Sequence, residues 1–113
     1  MKYACLILFL ITATAVFASR TGIGSVTTSG RDAAELYSKN CASCHGHDGR
    51  SKTFKAKLNH ARNLSDPEWQ ERVSDERIFN SIMNGKGKMP AYGKKLSEQE
   101  IDALVTYIRG LRK

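Results

Sequence analysis

Cys41-Ala42-Ser43-Cys44-His45 is the stretch on which the reading of the whole chain turns. Cysteines at i and i+3 lie about one helical turn apart and point to the same side. Two sulfurs so placed can bond to the two vinyl groups along one edge of a porphyrin, with the adjacent His45 against the iron. C-x-x-C-H therefore reads as a covalent haem attachment site, with the imidazole as proximal ligand. Rival readings each lack their context. A redox dithiol needs βαβ surroundings, a zinc site needs a second ligand pair, and a structural disulfide has no use for the histidine. The third cysteine, Cys5, lies in a segment expected to be removed.

Upstream of the motif, Asp32 is a plausible helix N-cap. In the stretch AAELYSKNCASC that follows, Ala33, Tyr37, Cys41 and Cys44 recur at spacings of four, four and three. One face then carries a small residue, an aromatic ring and both thiols. Residues 19–31 (SRTGIGSVTTSGR) are rich in Gly, Ser and Thr and have no helical period, so they read as a flexible leader. Before them Lys2 precedes an apolar or small run over 4–17, and Val16-Phe17-Ala18 suits a signal peptidase. Residues 1–18 are thus expected to be a cleaved secretory signal and 32–113 the folded domain, with no membrane span after cleavage. Export makes the expected location periplasmic or extracytoplasmic.

Downstream, Gly46, Asp48-Gly49 and the polar run to Lys57 read as a loop. Ser65-Asp66-Pro67-Glu68 has the capping-box form and opens a short helix holding Trp69. Ser74-Asp75 starts another, whose Ile78, Phe79, Ile82 and Met83 share a face until Asn84-Gly85 ends it. The segment GKGKMPAYG over 85–93 is a glycine-studded loop. Ser97-x-x-Glu100 caps a last helix with a stripe of Ile101, Leu104, Val105, Ile108 and Leu111, Tyr107 beside it. No stretch of the expected domain alternates at period two, so the fold is expected to be all-α with long loops.

The 95 residues of 19–113 suffice for one small domain but not for a generous apolar core. A buried porphyrin would supply the missing apolar surface and stabilise the folded state by linkage, so the haem-free chain is expected to be largely unfolded. The sequence holds no phosphate loop, no paired-carboxylate motif and no nucleophile elbow, so an enzyme is not expected. The net charge of +7 is unevenly spread. Arg50, Lys52, Lys55, Lys57 and Arg62 form one acid-free run and Lys86, Lys88, Lys94 and Lys95 another. Asp66, Glu68, Glu71, Asp75 and Glu76 gather between them. Nucleic acid is not an expected partner: no recognition helix and no aromatic interleaving accompany the basic runs.

A helix with a small residue and an aromatic before C-x-x-C-H, a G-x-G-x-Met-Pro loop downstream, and a closing amphipathic helix with Leu104-x-x-Tyr107 together resemble the small bacterial class I c-type cytochromes. The resemblance covers 32–113. It implies the class I cytochrome c fold, about four short helices around one covalent haem c with its iron. By position it implies thioethers at Cys41 and Cys44, His45 as proximal ligand, Met89 as distal ligand with Pro90 stiffening its loop, and a crossing of Ala33 and Tyr37 over Leu104 and Tyr107. Many members have a proline after the haem motif whose carbonyl accepts the proximal imidazole proton. Here no proline occurs between Gly46 and Asp66, so the group that orients His45 is left open.

Other candidates for the distal position are weighed against Met89. Met83 sits on a helix face where packing is the default, and His47 is too close to the attachment motif to reach the other side. His60, in the basic run, is the serious competitor, and an open iron site is the remaining option. With two protein ligands the iron has no vacancy for substrate, and histidine with methionine raises the potential relative to two histidines. The expected function is single-electron transfer by a monomeric carrier. Lysines flanking the Met89 loop either steer an acidic redox partner or form a solvated face. The alternatives are a dedicated cytochrome subunit of a dehydrogenase or oxidase complex, and a haem sensor or peroxidase with a labile distal ligand.

Overall fold

The computed structural model describes residues 32–113; the expected signal segment 1–18 and leader 19–31 lie outside the described residues. Six helices follow one another, α1 (Ala33–Asn40), α2 (Ala42–His45), α3 (Phe54–Asn59), α4 (Pro67–Arg72), α5 (Asp75–Asn84) and α6 (Glu98–Arg109). Among the described residues there is no strand; Lys86 and Met89 alone form an isolated antiparallel bridge. The expected all-α class therefore stands, with more helical segments than the four anticipated.

The extra segments have local causes. The helix begun at Asp32, whose carboxylate accepts from the Ala34 N–H, does not run unbroken to Cys44. At Cys41 the backbone opens to φ −114°, and α2 starts afresh as a single turn. The stretch expected to be loop as far as Lys57 contains the start of α3, capped by Thr53 Oγ1 accepting from the Ala56 N–H at 3.0 Å. Nor is Ser65 the cap of α4. Asp66 takes that place, accepting from the Glu68 and Trp69 N–H groups, with Pro67 in the first turn. Ser65 instead donates its hydroxyl to Asn63 Oδ1 at 2.8 Å. Helices α5 and α6 start at Ser74 and Ser97 as expected, and the Ser97/Glu100 capping box is complete.

The core sits where α1 crosses α6 and α6 meets α5. Leu36, Tyr37, Ile101 and Leu104 are nearly inaccessible, and Ile78, Ile82, Val105 and Ile108 complete the interior. Tyr37 and Tyr107 pack ring on ring at the α1/α6 crossing, centroids 4.9 Å apart and tilted by 38°.

One buried polar residue ties the second half of the molecule together. Gln70 Nε2 donates to the carbonyls of Leu64 and Ile108, both at 2.8 Å. Arg109, on the last turn of α6, donates to the Gln70 and Val73 carbonyls and pairs with Asp75 at 2.7 Å. Carbonyls that the short helix α4 leaves without partners are thus met by α6, and the bond network sets the distance between them.

Candidate haem site

The attachment segment is held from all sides through its carbonyls. Tyr92 Oη donates to the Asn40 carbonyl at 2.9 Å, Thr53 Oγ1 to that of Cys44 at 2.9 Å, and Tyr37 Oη to that of Gly46 at 2.8 Å. The Ser51 N–H takes the His45 carbonyl at 2.8 Å. A four-residue helix cannot satisfy its own C-terminal carbonyls. Here two hydroxyls and one amide from elsewhere do so for Cys44, Gly46 and His45, and the Tyr92 hydroxyl takes the last carbonyl of α1.

His45 has the orienting partner that its sequence left open. Its Nδ1 lies 2.9 Å from the Arg62 carbonyl, so Nδ1 carries the proton and Nε2 is free to bind metal. Burial lowers the pKa of His45, with the Arg62 hydrogen bond opposing it, which favours the neutral ring that a ligand must present. Burial, and secondarily Cys44, pushes the Cys41 thiol up to about 11.

The loop between α5 and α6 brings in Met89. Lys86 and Met89 exchange backbone hydrogen bonds at 3.1 and 2.9 Å, making a tight hairpin with Gly87 at φ +58°. Its return stroke is stitched to α5 by the Tyr92 N–H on the Ile82 carbonyl and the Gly93 N–H on that of Met83. Tyr92 thereby links this loop to Asn40 at the attachment segment.

Cys41, Cys44, His45 and Met89 all line one cavity of about 1030 Å³. Its walls include Leu64, Trp69, Val73, Ile78, Ile82 and Ile108. Arg62, Arg72, Arg77, Lys86 and Lys88 also line it, and among the described residues no carboxylate does. Of the rival distal ligands, Met83 and His47 are not on the lining, whereas His60 is. His60 closes α3 in the left-handed conformation, φ +52°, and is exposed. A large apolar slot with two thiols, an imidazole and a thioether on its walls, and cations in place of acids, fits a porphyrin carrying two carboxylates. Among the described residues no group of three or more His, Cys, Asp or Glu could hold a bare metal ion.

A family model described as cytochrome c oxidase, cbb3-type, subunit III matches residues 28–108. The chain belongs to the c-type cytochromes. Its cofactor is covalent haem c with iron. Among curated relatives the cytochrome is 35% identical over 86 residues to the cbb3-type cytochrome c oxidase subunit FixP of Azorhizobium caulinodans, covering 75% of this chain and 28% of FixP. It is 36% identical to cytochrome c6 of Gloeothece citriformis, covering 66% of this chain and 64% of that protein. The chain thus spans less than two thirds of either. Among solved structures it resembles the KustC0563 c-type cytochrome, with a TM-score of 0.68 and 39% identity over 74% of this chain and all of the other.

Several residues of the site were not singled out by the sequence. Thr53, Tyr92 and Ser51 are ordinary polar residues whose role appears only when the loops close. The Arg62 contribution is a carbonyl, to which side-chain identity gives no clue. Arg72 and Arg77 stand at helical positions that bring them to the cavity wall from α4 and α5; their acid-rich neighbourhood concealed this.

Proposed function

We propose that this cytochrome domain is a one-electron carrier in which Cys41 and Cys44 hold the haem by thioethers and His45 and Met89 are its axial ligands. The observation that carries the reading is the meeting of these four residues, from α2, the cap residue before it and the 85–93 loop, on the lining of one cavity. The bound haem supplies a one-electron couple. His45 contributes a neutral imidazole, oriented by the Arg62 carbonyl. Met89 contributes a neutral thioether on a loop anchored by Tyr92, and soft sulfur suits haem iron. His60 is the weaker candidate, because its exposed position on a left-handed helix cap offers no comparable anchorage. With His45 and Met89 both given to the iron, a bound haem would have no place left for a substrate, which favours electron transfer over catalysis. The apolar walls exclude water, and Arg62, Arg72, Arg77, Lys86 and Lys88 are placed to compensate the porphyrin carboxylates.

The chain is exported, acts as a monomer and meets redox proteins whose docking surface is acidic. Supporting this are the secretory pattern of residues 1–18 and the lysines around Met89. Among the described residues no helix is long and apolar enough to cross a membrane. A second reading, a dedicated subunit of an oxidase or dehydrogenase complex, is favoured by the match to the cbb3-type subunit III model. Purification alone or with a second subunit separates the two. The primary test is a visible spectrum with a haem-stained denaturing gel. Covalent pigment, a low-spin spectrum and the weak charge-transfer band of methionine-ligated ferric haem are expected. A colourless gel band overturns the attachment, and absence of the charge-transfer band overturns Met89.

A further inference from the structure

The Arg62 carbonyl accepts two hydrogen bonds, one from His45 Nδ1 at 2.9 Å and one from Ser51 Oγ at 2.5 Å. Ser51 also donates its N–H to the His45 carbonyl at 2.8 Å. One residue thus grips both the backbone of the histidine and the acceptor of its ring. Ser51 does so from the left-handed region, φ +56°, which a serine adopts at a cost. Nothing in a simple turn demands serine there, and glycine would hold that backbone with less strain. What serine adds is the hydroxyl.

We propose that Ser51 is a positioning residue that sets the electronic character of the proximal histidine, by sharing the carbonyl to which His45 donates. A histidine that donates its second N–H strongly becomes a more basic ligand, which favours ferric iron and lowers the reduction potential. The Ser51 hydroxyl draws on the same carbonyl oxygen. It leaves His45 a weaker acceptor, and the ferrous state is correspondingly favoured. The inference rests on His45 being the proximal ligand.

The test uses the full haem-loaded protein and two variants, Ser51→Ala and Ser51→Gly. Both remove the hydroxyl, but glycine relieves the left-handed strain and alanine does not, so their effects on stability differ. Both are expected to lower the midpoint potential. The expected drop is about threefold in the ferrous-to-ferric ratio at fixed ambient potential, or about 28 mV at 59 mV per tenfold for one electron. The His45 Nδ1–H proton resonance of the ferrous protein should move downfield in both. A potential that is unchanged or raised in both variants, with the low-spin spectrum retained, overturns the role of Ser51 while leaving His45 as ligand. A potential that moves in one variant only, in step with its stability, also overturns it. If the wild-type ferrous protein shows no His45 Nδ1–H resonance shifted by the porphyrin ring current, the ligation itself fails, and that result is distinct from the other two.

Discussion

Tyr37 and Tyr107 stack at 4.9 Å where the first and last helices cross, and the same Tyr37 reaches past that contact to donate its hydroxyl to the Gly46 carbonyl. A single side chain joins the helix crossing to the end of the haem-attachment turn. Packing on one side and hydrogen bonding on the other can be removed separately. Tyr37→Phe keeps the ring and removes one of two donors to the Gly46 carbonyl, which keeps the Gly49 N–H at 3.1 Å, and is expected to cost about 1 kcal/mol. Tyr37→Ala opens a cavity at a residue only 1% exposed and is expected to cost about 3–5 kcal/mol. Denaturant unfolding of the haem-loaded protein followed at the Soret band measures both; equal losses would refute the division of labour.

Gln70 holds two buried carbonyls from segments far apart in sequence. Gln70→Leu, which keeps the volume and removes the amide, strands the Leu64 carbonyl, whereas that of Ile108 keeps the Leu111 N–H at 3.0 Å. The expected loss is about 1–3 kcal/mol, read by the same unfolding measurement.

Gly85 lies at φ +76° and ψ 167°, and a Cβ there would come within 2.7 Å of the Met89 carbonyl. That backbone region belongs almost entirely to glycine. Gly85→Ala should therefore push apart the Lys86/Met89 hairpin and diminish the charge-transfer band well before the protein unfolds. A full-strength band in this variant would show that the hairpin does not govern how Met89 is presented.

Three substitutions sort the distal candidates. Met89→His is expected to abolish the charge-transfer band and lower the reduction potential, because two histidines stabilise ferric iron more than histidine with methionine. Met83→Leu should leave the band intact, since Met83 packs against Gly93 and does not line the cavity. His60→Ala should likewise leave it intact; loss of the band there would transfer the ligand role from Met89.

The cations on the cavity lining, unaccompanied by acids, should be felt by small charged oxidants. Oxidation by ferricyanide is expected to slow as salt is added, and to slow on the order of tenfold at low salt in Lys86→Glu/Lys88→Glu. A cationic cobalt complex should show the opposite salt trend. Identical salt dependence for both oxidants would mean that the lysines lie away from the path of the electron.

Much of this was legible in the chain itself. C-x-x-C-H, the caps at Ser74 and Ser97, and the stripe of Ile101, Leu104, Val105 and Ile108 rest on short-range chemistry, which a linear sequence displays directly. The misplaced start of α4 was a question of register between neighbours. Pro67 belongs in the first turn of a helix, which makes Asp66 the better cap. Helix α3 escaped notice because it buries little: Phe54 and Leu58 are 77% and 55% exposed, and without an apolar stripe facing a core there was no period to read. The partner of His45 was illegible for a different reason. A backbone carbonyl belongs to every residue, and only closure of the 46–62 loop selects that of Arg62.

The crossing of α1 with α6 has a consequence for biogenesis. A polypeptide made from its amino end presents Tyr37 and the two cysteines long before Tyr107, the ring that packs on Tyr37, is added. Until the final helix has been made, the α1/α6 crossing that buries Leu36 and Tyr37 next to the attachment turn cannot form. The order in which segments emerge thus provides a built-in delay: the turn with both cysteines exists in full before the helix that locks its neighbour is there to do so.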